Sequence, residues 1–504
     1  MLFHTSTFFV FFAAFLACYL PVRRKPAGLW VILVFSNIFY GWWNWKFLFL
    51  LWATILVDYS LANLLARTEA PVRRKLLIGL SLLTNLGILA FFKYYNFFVA
   101  SVVGVGVEGA ASWHILDLTL PVGISFYVFQ SMSYTLDVYR RQQQPVRNLL
   151  HFAVFVCYFP QLVAGPINRL TLLLPQIVGP APITPDRVTS GAFLFCIGLF
   201  RKALADTFAT FVDPVFNNVN DATPAEVVFA VFGFGLQIYL DFTGYVDMAR
   251  GISRTIGIDL MLNFDAPYLS TSPREFWRRW HISLSRWLRD YLYISLGGNR
   301  HGLPRQLLAL MLTMILGGLW HGAGWNFAIW GALHGSYLVL NVLWDRATSG
   351  LREAREARRI LYAGRREPWI AAPRGEATAR SPSITERRVR AAAGWLVTFL
   401  AVNYAWLYFR SHTFEASVAA NRKIGAWLLH PGLPTLLPAL VLMVAIVVAM
   451  EFILRFWPGA MQAQCSELTL RRAALEGAVG GALVVAGLVL LSGVPTQQFI
   501  YFQF

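Results

Sequence analysis

The sequence predicts an all-α, polytopic membrane protein, and three observations carry that reading. Of 504 residues, 57% are hydrophobic and only 14% are charged, whereas soluble domains carry roughly 25% charged residues. Apolar stretches of about 20 residues, each long enough to cross a bilayer, recur along the whole chain. No polar stretch is long enough to bury a core of its own, so the economical reading is a single membrane domain over 1–504. The formal charge of +17 does not point to nucleic acid, because much of it lies in short loops between apolar stretches.

Taken in chain order, the first four stretches begin near Leu2, Leu29, Phe47 and Leu76. Four more begin near Val188, Val227, Leu307 and Asn326, and three near Ala391, Leu436 and Gly477. This gives about 11 transmembrane helices of spanning length. Pieces around 117–139, 147–167 and 284–296 are too polar or too short for simple spans and read as tilted, re-entrant or interfacial helices. The region 117–335 is dense in Pro, Gly and aromatic residues, with Asp137, Asp241 and Asp247 at membrane depth. Broken helices and buried carboxylates mark a centre built around something polar. An Arg-rich segment at 345–390 holds twelve Arg against six Asp and Glu. It reads as a mobile linker with a helical patch around LREAREARRILYAG, and helices of 391–504 follow.

Charge placement predicts sidedness. Arg73, Arg74 and Lys75 precede the fourth span, while 100–116 has no Lys or Arg. The positive-inside rule then sets the amino terminus outside and both 67–75 and 345–390 in the cytoplasm. The first apolar stretch lacks a basic start, as in a signal anchor rather than a cleaved signal peptide. Cys18, Cys157, Cys196 and Cys465 are scattered without metal or disulfide spacing.

Two histidines stand in the most apolar third of the chain: His321 in GGLWHGAGW and His334 in WGALHG, 13 residues later. The fifteen residues before His321, QLLALMLTMILGGLW, contain one amide and no charge. An ionisable group there is expensive and faces a cavity or a bundle interior. A histidine in a Gly-rich break between spans can exchange a proton near neutral pH; a histidine packed between helices is the plainer alternative. Upstream, STSPREFWRRWHISLSRWLRDYLYISLGGNR reads as one amphipathic helix, with Ser272 as N-cap, Pro273 at the first position and Glu275 completing a capping box. Phe276, Trp277, Trp280, Leu284, Trp287, Leu288 and Tyr291 share its apolar face, with Arg274, Arg278, Arg279, Arg286 and Arg289 opposite. Such a helix lies in the headgroup plane or covers the mouth of a bundle. His281 falls at the boundary of the two faces, either as an interfacial residue or as part of a site. The arginines could hold the phosphates of an anionic donor or anchor the helix to lipid. Asp241 and Asp247 would favour their neutral forms unless a cation pairs with them.

Other chemistries lack their signatures. Gly104, Gly106 and Gly109 form a nominal dinucleotide pattern without the strand and crossover it needs. There is no HExxH, no Cys/His cluster for a metal and no GxSxG. No internal repeat supports a transporter built from paired halves.

Together, EFWRRWHISLSRWLRDYLYISLGGNR, MILGGLWHGAGWNFAIWGALHG, PVGISFYVFQSMSYTLDVYR, LDFTGYVDMA and the terminal FIYFQF resemble the membrane-bound O-acyltransferase family, nearest its bacterial alginate O-acetylation branch. The resemblance covers about 1–411 and the last few residues. It implies a ring of membrane helices around a thin centre pierced by a tunnel. His321 matches the family's catalytic histidine and His281 the second functional histidine of the bacterial branch. Trp280, Arg278, Arg279, Asp241, Asn326 and His334 are candidates to line that tunnel or hold the donor. The resemblance implies no bound cofactor or metal, an acyl-CoA (acetyl-CoA) or acyl-carrier thioester donor from the cytoplasm, and an acceptor outside the bacterial inner membrane. It points to O-acetylation of an exported polysaccharide, with a separate SGNH-type periplasmic acetyltransferase as partner. The chain departs from the branch at Ala323-Gly324-Trp325, at Thr243 and Val246 where serines are usual, and in the length of 345–390. These changes leave the reaction class and open the identity of the glycan. D-alanyl transfer to a cell-envelope polymer is the alternative within the class; a proton-coupled transporter or a scaffold for secretion is the alternative outside it.

Overall fold

The computed structural model describes residues 1–104, 115–363, 384–434, 437–456, 470–491 and 499–500. Gly106, Gly109, Cys465, most of 100–116, the middle of the Arg-rich segment and the last four residues lie outside these. Every regular element among the described residues is helical. In order, α1 (Ser6–Tyr19), α2 (Pro26–Gly41) and α3 (Phe47–Ala66) lead to α4 (Pro71–Leu89), which runs through a π turn (Ala90–Tyr94) into α5 (Tyr95–Gly104). The short helices α6 (Ile124–Tyr139), α7 (Leu149–Cys157), α8 (Phe159–Leu162) and α9 (Leu170–Val178) follow. The long pair α10 (Pro185–Asn217) and α11 (Pro224–Thr255) precedes α12 (Pro273–Arg279), α13 (Ile282–Trp287) and a second π turn (Leu288–Tyr293). The chain ends with α14 (Leu303–His321), α15 (Trp325–Ala363), α16 (Ile384–Arg410), α17 (Phe414–Leu429), α18 (Leu437–Phe456) and α19 (Leu470–Leu491).

Among the described residues, eight helices are long and apolar enough to cross a membrane, and three shorter apolar ones, Ser6–Tyr19, Pro26–Gly41 and Val441–Phe452, stand at other expected spans. Local signals set their starts. Thr184 and Thr223 cap α10 and α11, proline follows each cap, and Glu226 closes a capping box on Thr223. The helical patch expected at 351–364 continues α15 to Ala363.

Burial separates centre from rim. In α11, 83% of the most apolar window is buried, against 22% in the span Pro71–Val103 and 17% in Ala473–Leu490. Helices α10 and α11 approach backbone to backbone: a Cβ on Gly198 would sit 2.7 Å from the Gly244 carbonyl, the close crossing that small residues permit in membranes. Their interface carries the ion pairs that neutralise Asp241 and Asp247. Arg201 pairs with Asp247 and with Glu451, and Lys202 pairs with Asp206 at 2.7 Å and Asp241 at 2.9 Å. Asp58 of α3 is fully buried and accepts hydrogen bonds from Ser81 (2.6 Å), Asn85 (2.9 Å) and Ser131 (2.5 Å), tying α3, α4 and α6 together.

The expected single amphipathic helix over 272–297 is corrected. It breaks at Trp280 and His281, and His281 adopts the left-handed region at φ +42°. Asn263 explains the break: its carbonyl accepts from Ile282 N and its side-chain oxygen from Ser283 N, both at 2.9 Å, so it caps α13 from outside. The capping box also shifts. Ser272 accepts from Glu275 N, but the Glu275 carboxylate accepts from Thr271 N at 2.8 Å rather than from the backbone of Ser272.

Candidate functional site

Helix α14 ends at His321 and α15 begins at Trp325, so His321 stands at the break the glycines suggested. The two helices cross at Gly318 and Gly331: a Cβ on Gly318 would lie 2.2 Å from the Phe327 carbonyl, and one on Gly331 would lie 2.3 Å from that of Met314. Gly318 therefore sets helix spacing one turn before the histidine, a role the sequence reading did not give it.

Three histidines meet in one aromatic chamber. His281, His321 and His334 are buried, with 0%, 5% and 1% of their surface exposed. The Trp320 ring lies 6.2 Å from His281 and 4.9 Å from His321, and the Trp330 ring lies 5.1 Å from His321 and 4.6 Å from His334. Phe126 of α6 stacks toward His281 at 6.3 Å, and Phe242 of α11 meets the same ring edge-on at 4.8 Å. Of the two readings of His281, the interfacial one does not hold: the break at Trp280 leaves its imidazole fully buried.

Several polar atoms here lack a hydrogen-bond partner among the described residues. They are both ring nitrogens of His281, Nε2 of His334, and the indole N–H groups of Trp277, Trp320 and Trp330. Buried polar groups are almost always paired, and a cluster of exceptions calls for an explanation. Of these residues, Trp320 reaches a cavity. A cavity of about 60 Å³ opens beside His321, lined also by Lys93, Gly123, Ser125, Phe126, Val163 and Trp320. Gly123 is needed there: it sits at φ +74°, and a Cβ would meet the Leu162 carbonyl at 2.6 Å.

The other candidates divide. Trp280 is buried between Phe264 (5.0 Å), Phe276 (5.5 Å) and Trp406 (5.1 Å), in the wall beside His281. Asp241 pairs with Lys202 and accepts from Ile500 N at 2.6 Å, which brings the carboxy-terminal segment to the centre. Phe499 then packs on Phe242, 5.8 Å away, and so next to the ring that touches His281. Asn326 donates to the Ser411 carbonyl (2.9 Å) and accepts from Ser417 (3.0 Å), joining α15 to α16 and α17. Arg278 is exposed, and Arg279 pairs with Glu275 at 2.7 Å, so neither is drawn into the chamber. No group of three or more His, Cys, Asp or Glu that could hold a metal occurs among the described residues.

Sequence reasoning missed Lys93. Its Nζ donates to the carbonyls of Trp320 (2.7 Å) and His321 (2.8 Å), and the Tyr94 hydroxyl donates to that of Leu319 (2.7 Å). The signal was present: Lys93 is a lone cation in the apolar run LGILAFFKYYNFFVA, and an intramembrane charge is a functional candidate by default.

The model of the membrane-bound O-acyltransferase family matches residues 31–371, more than half of the chain. The chain belongs to this family. It is thus a polytopic O-acyltransferase of the membrane, and the motif histidines of the family resemblance are the residues that meet in the chamber. Among its relatives, a probable alginate O-acetylase of Azotobacter vinelandii is 36% identical over 100% of both chains. A peptidoglycan O-acetyltransferase of Helicobacter pylori is 33% identical over 77% of this chain and 72% of its own. A teichoic acid D-alanyltransferase of Streptococcus thermophilus is 28% identical over 47% of this chain and 60% of its own.

Proposed function

We propose that this acyltransferase moves an acetyl group from a cytoplasmic thioester, acetyl-CoA or an acyl carrier, across the bacterial inner membrane for O-acetylation of an exported polysaccharide such as alginate. The observation that carries the reading is His321 at the end of α14, in an aromatic chamber and beside a small cavity. His321 acts as general base toward the acceptor hydroxyl. His281, which packs behind Phe126 and Trp320 of the cavity lining and has both ring nitrogens unpaired among the described residues, orients the acceptor or the thioester. Trp280 and His334 shape the chamber, while Asp241 and Asn326 hold its walls through the bonds given above. Arg278 and Arg279 are left to the membrane surface, where a phosphorylated donor could approach.

Acetyl is favoured over D-alanyl by charge. Lys93 lines the cavity, so an acyl group bearing its own amine would bring a second such group beside it, and whenever both are protonated they repel. Delivery to the finished glycan is assigned to a separate periplasmic acetyltransferase of the SGNH type. The test is acetyl-CoA turnover by the purified protein together with glycan acetylation in cells carrying only a His321→Ala variant. A general base contributes about 10²–10⁴-fold, so activity should fall by at least that factor, compared at matched folded protein because the imidazole packs on Trp320, Trp330 and Phe409. Retained acetylation would remove His321 from the reaction.

A further inference from the structure

Lys93 lies in the π turn Ala90–Tyr94, inside the span Pro71–Val103. π turns insert one residue into a helix and are frequent at functional sites. Here the insertion turns two consecutive side chains onto the last turn of α14, where Lys93 and Tyr94 together cap the carbonyls of Leu319, Trp320 and His321. Capping alone does not need a charge, since Tyr94 caps its carbonyl with a neutral hydroxyl. An ammonium in an apolar span is costly, and it carries three N–H groups. Two are used on the carbonyls, and Lys93 also lines the cavity it shares with His321. A cation on the last carbonyls of α14 also complements the helix C-terminus, but that role uses two N–H groups, and the remaining one belongs to a side chain that lines the cavity where the histidine can act.

Building on the general-base reading of His321, we infer that Lys93 is a catalytic residue of the same site: it binds the carbonyl oxygen of the thioester and stabilises the oxyanion formed there. The acceptor oxygen attacks the thioester carbon, forming a C–O bond while His321 takes the hydroxyl proton. The carbonyl π electrons move onto oxygen, which the third N–H of Lys93 receives as a charge-assisted hydrogen bond. Collapse restores the carbonyl and breaks the C–S bond. The thiolate takes the proton back from His321, leaving ester and free thiol.

The variant that isolates this role is Lys93→Gln. Its amide has two N–H groups, enough to cap both carbonyls, but no charge and no third donor. Kinetics of thiol release from acetyl-CoA are compared for wild type, Lys93→Gln, Lys93→Arg, Tyr94→Phe and His321→Ala at matched folded protein. Removing one oxyanion donor costs about 10²–10³ in kcat, so Lys93→Gln should lose that much with KM changed less than about threefold. Lys93→Arg, which keeps the charge, should recover part of the loss. Tyr94→Phe, which removes a cap outside the cavity lining, should lose less than about tenfold. Wild-type kcat in Lys93→Gln, or parallel losses in Lys93→Gln and Tyr94→Phe, would overturn the inference and leave Lys93 as a helix cap. Full activity in His321→Ala would instead sink the general-base reading itself, so the two failures are distinguishable.

Discussion

Two adjacent glycines one turn before His321 should respond very differently to alanine. At Gly318 the new methyl would sit 2.2 Å from the Phe327 carbonyl and 3.0 Å from Gly331 N, both backbone atoms of α15 that cannot swing aside. Ordinary contact begins near 3.4 Å, so α14 and α15 must part by roughly 1 Å at their crossing, in an interior packed too closely to absorb it locally. Overpacking of this kind costs about 1–3 kcal/mol. His321 lies three residues on, and misplacement by about 1 Å can cost 10²-fold in rate. Gly318→Ala should therefore lower acyl transfer by about that factor and depress the unfolding temperature of the detergent-solubilised protein, read by size-exclusion chromatography after heating. At Gly317 the methyl would meet only Leu288 Cδ1 at 3.1 Å, the far end of a flexible side chain. Gly317→Ala should keep activity within about threefold, because rotamer adjustment costs of order 0.5–1.5 kcal/mol at most. Equal behaviour of the two variants would refute the claim that the Gly318–Gly331 crossing positions the histidine.

Arg201→Met should abolish folded yield, since losing one partner of a buried ion pair costs about 3–5 kcal/mol, here leaving Asp247 and Glu451 without Arg201. Arg274→Ala breaks a pair with Asp345 whose side chains are 44% and 46% exposed, worth about 0–1 kcal/mol, and should be silent in the same chromatographic assay. His281→Asn should fold like wild type yet lose activity, because asparagine tolerates the left-handed backbone at φ +42° but has no imidazole. His281→Ala should lose activity and about 1 kcal/mol of stability besides, and wild-type glycan acetylation in either would make His281 a packing residue. Single cysteines placed in 100–116 and in 345–390 of a cysteine-free background should differ toward an impermeant maleimide in intact cells, with labelling only in the first. The reverse pattern would invert the sidedness and the direction of acyl flow.

How far the sequence could be read follows from what each signal measures. Hydropathy reports the cost of leaving a segment in water or in lipid, so it located the spans and the charge-free approach to His321. Caps and breaks act within a few residues, so Ser272, Pro273 and the Gly-rich break at His321 were equally legible. Face periodicity left His281 open between interface and site because it assumes an unbroken helix, whereas the cap from Asn263 that breaks this one comes from a separate stretch of chain. Lys93 was legible as an isolated charge but not as a neighbour of His321, which lies 228 residues away. The same holds for Asp241, whose cation and backbone partner come from Lys202 and Ile500. Apolar helices of similar hydropathy do not specify their own neighbours. Which of them meet is decided by where glycines let backbones touch and by which buried donors and acceptors can satisfy one another without water. Sequence alone thus determined a membrane acyltransferase with a histidine in a break. Only the packed helices decided that three histidines, a ring of indoles and one ammonium share the chamber.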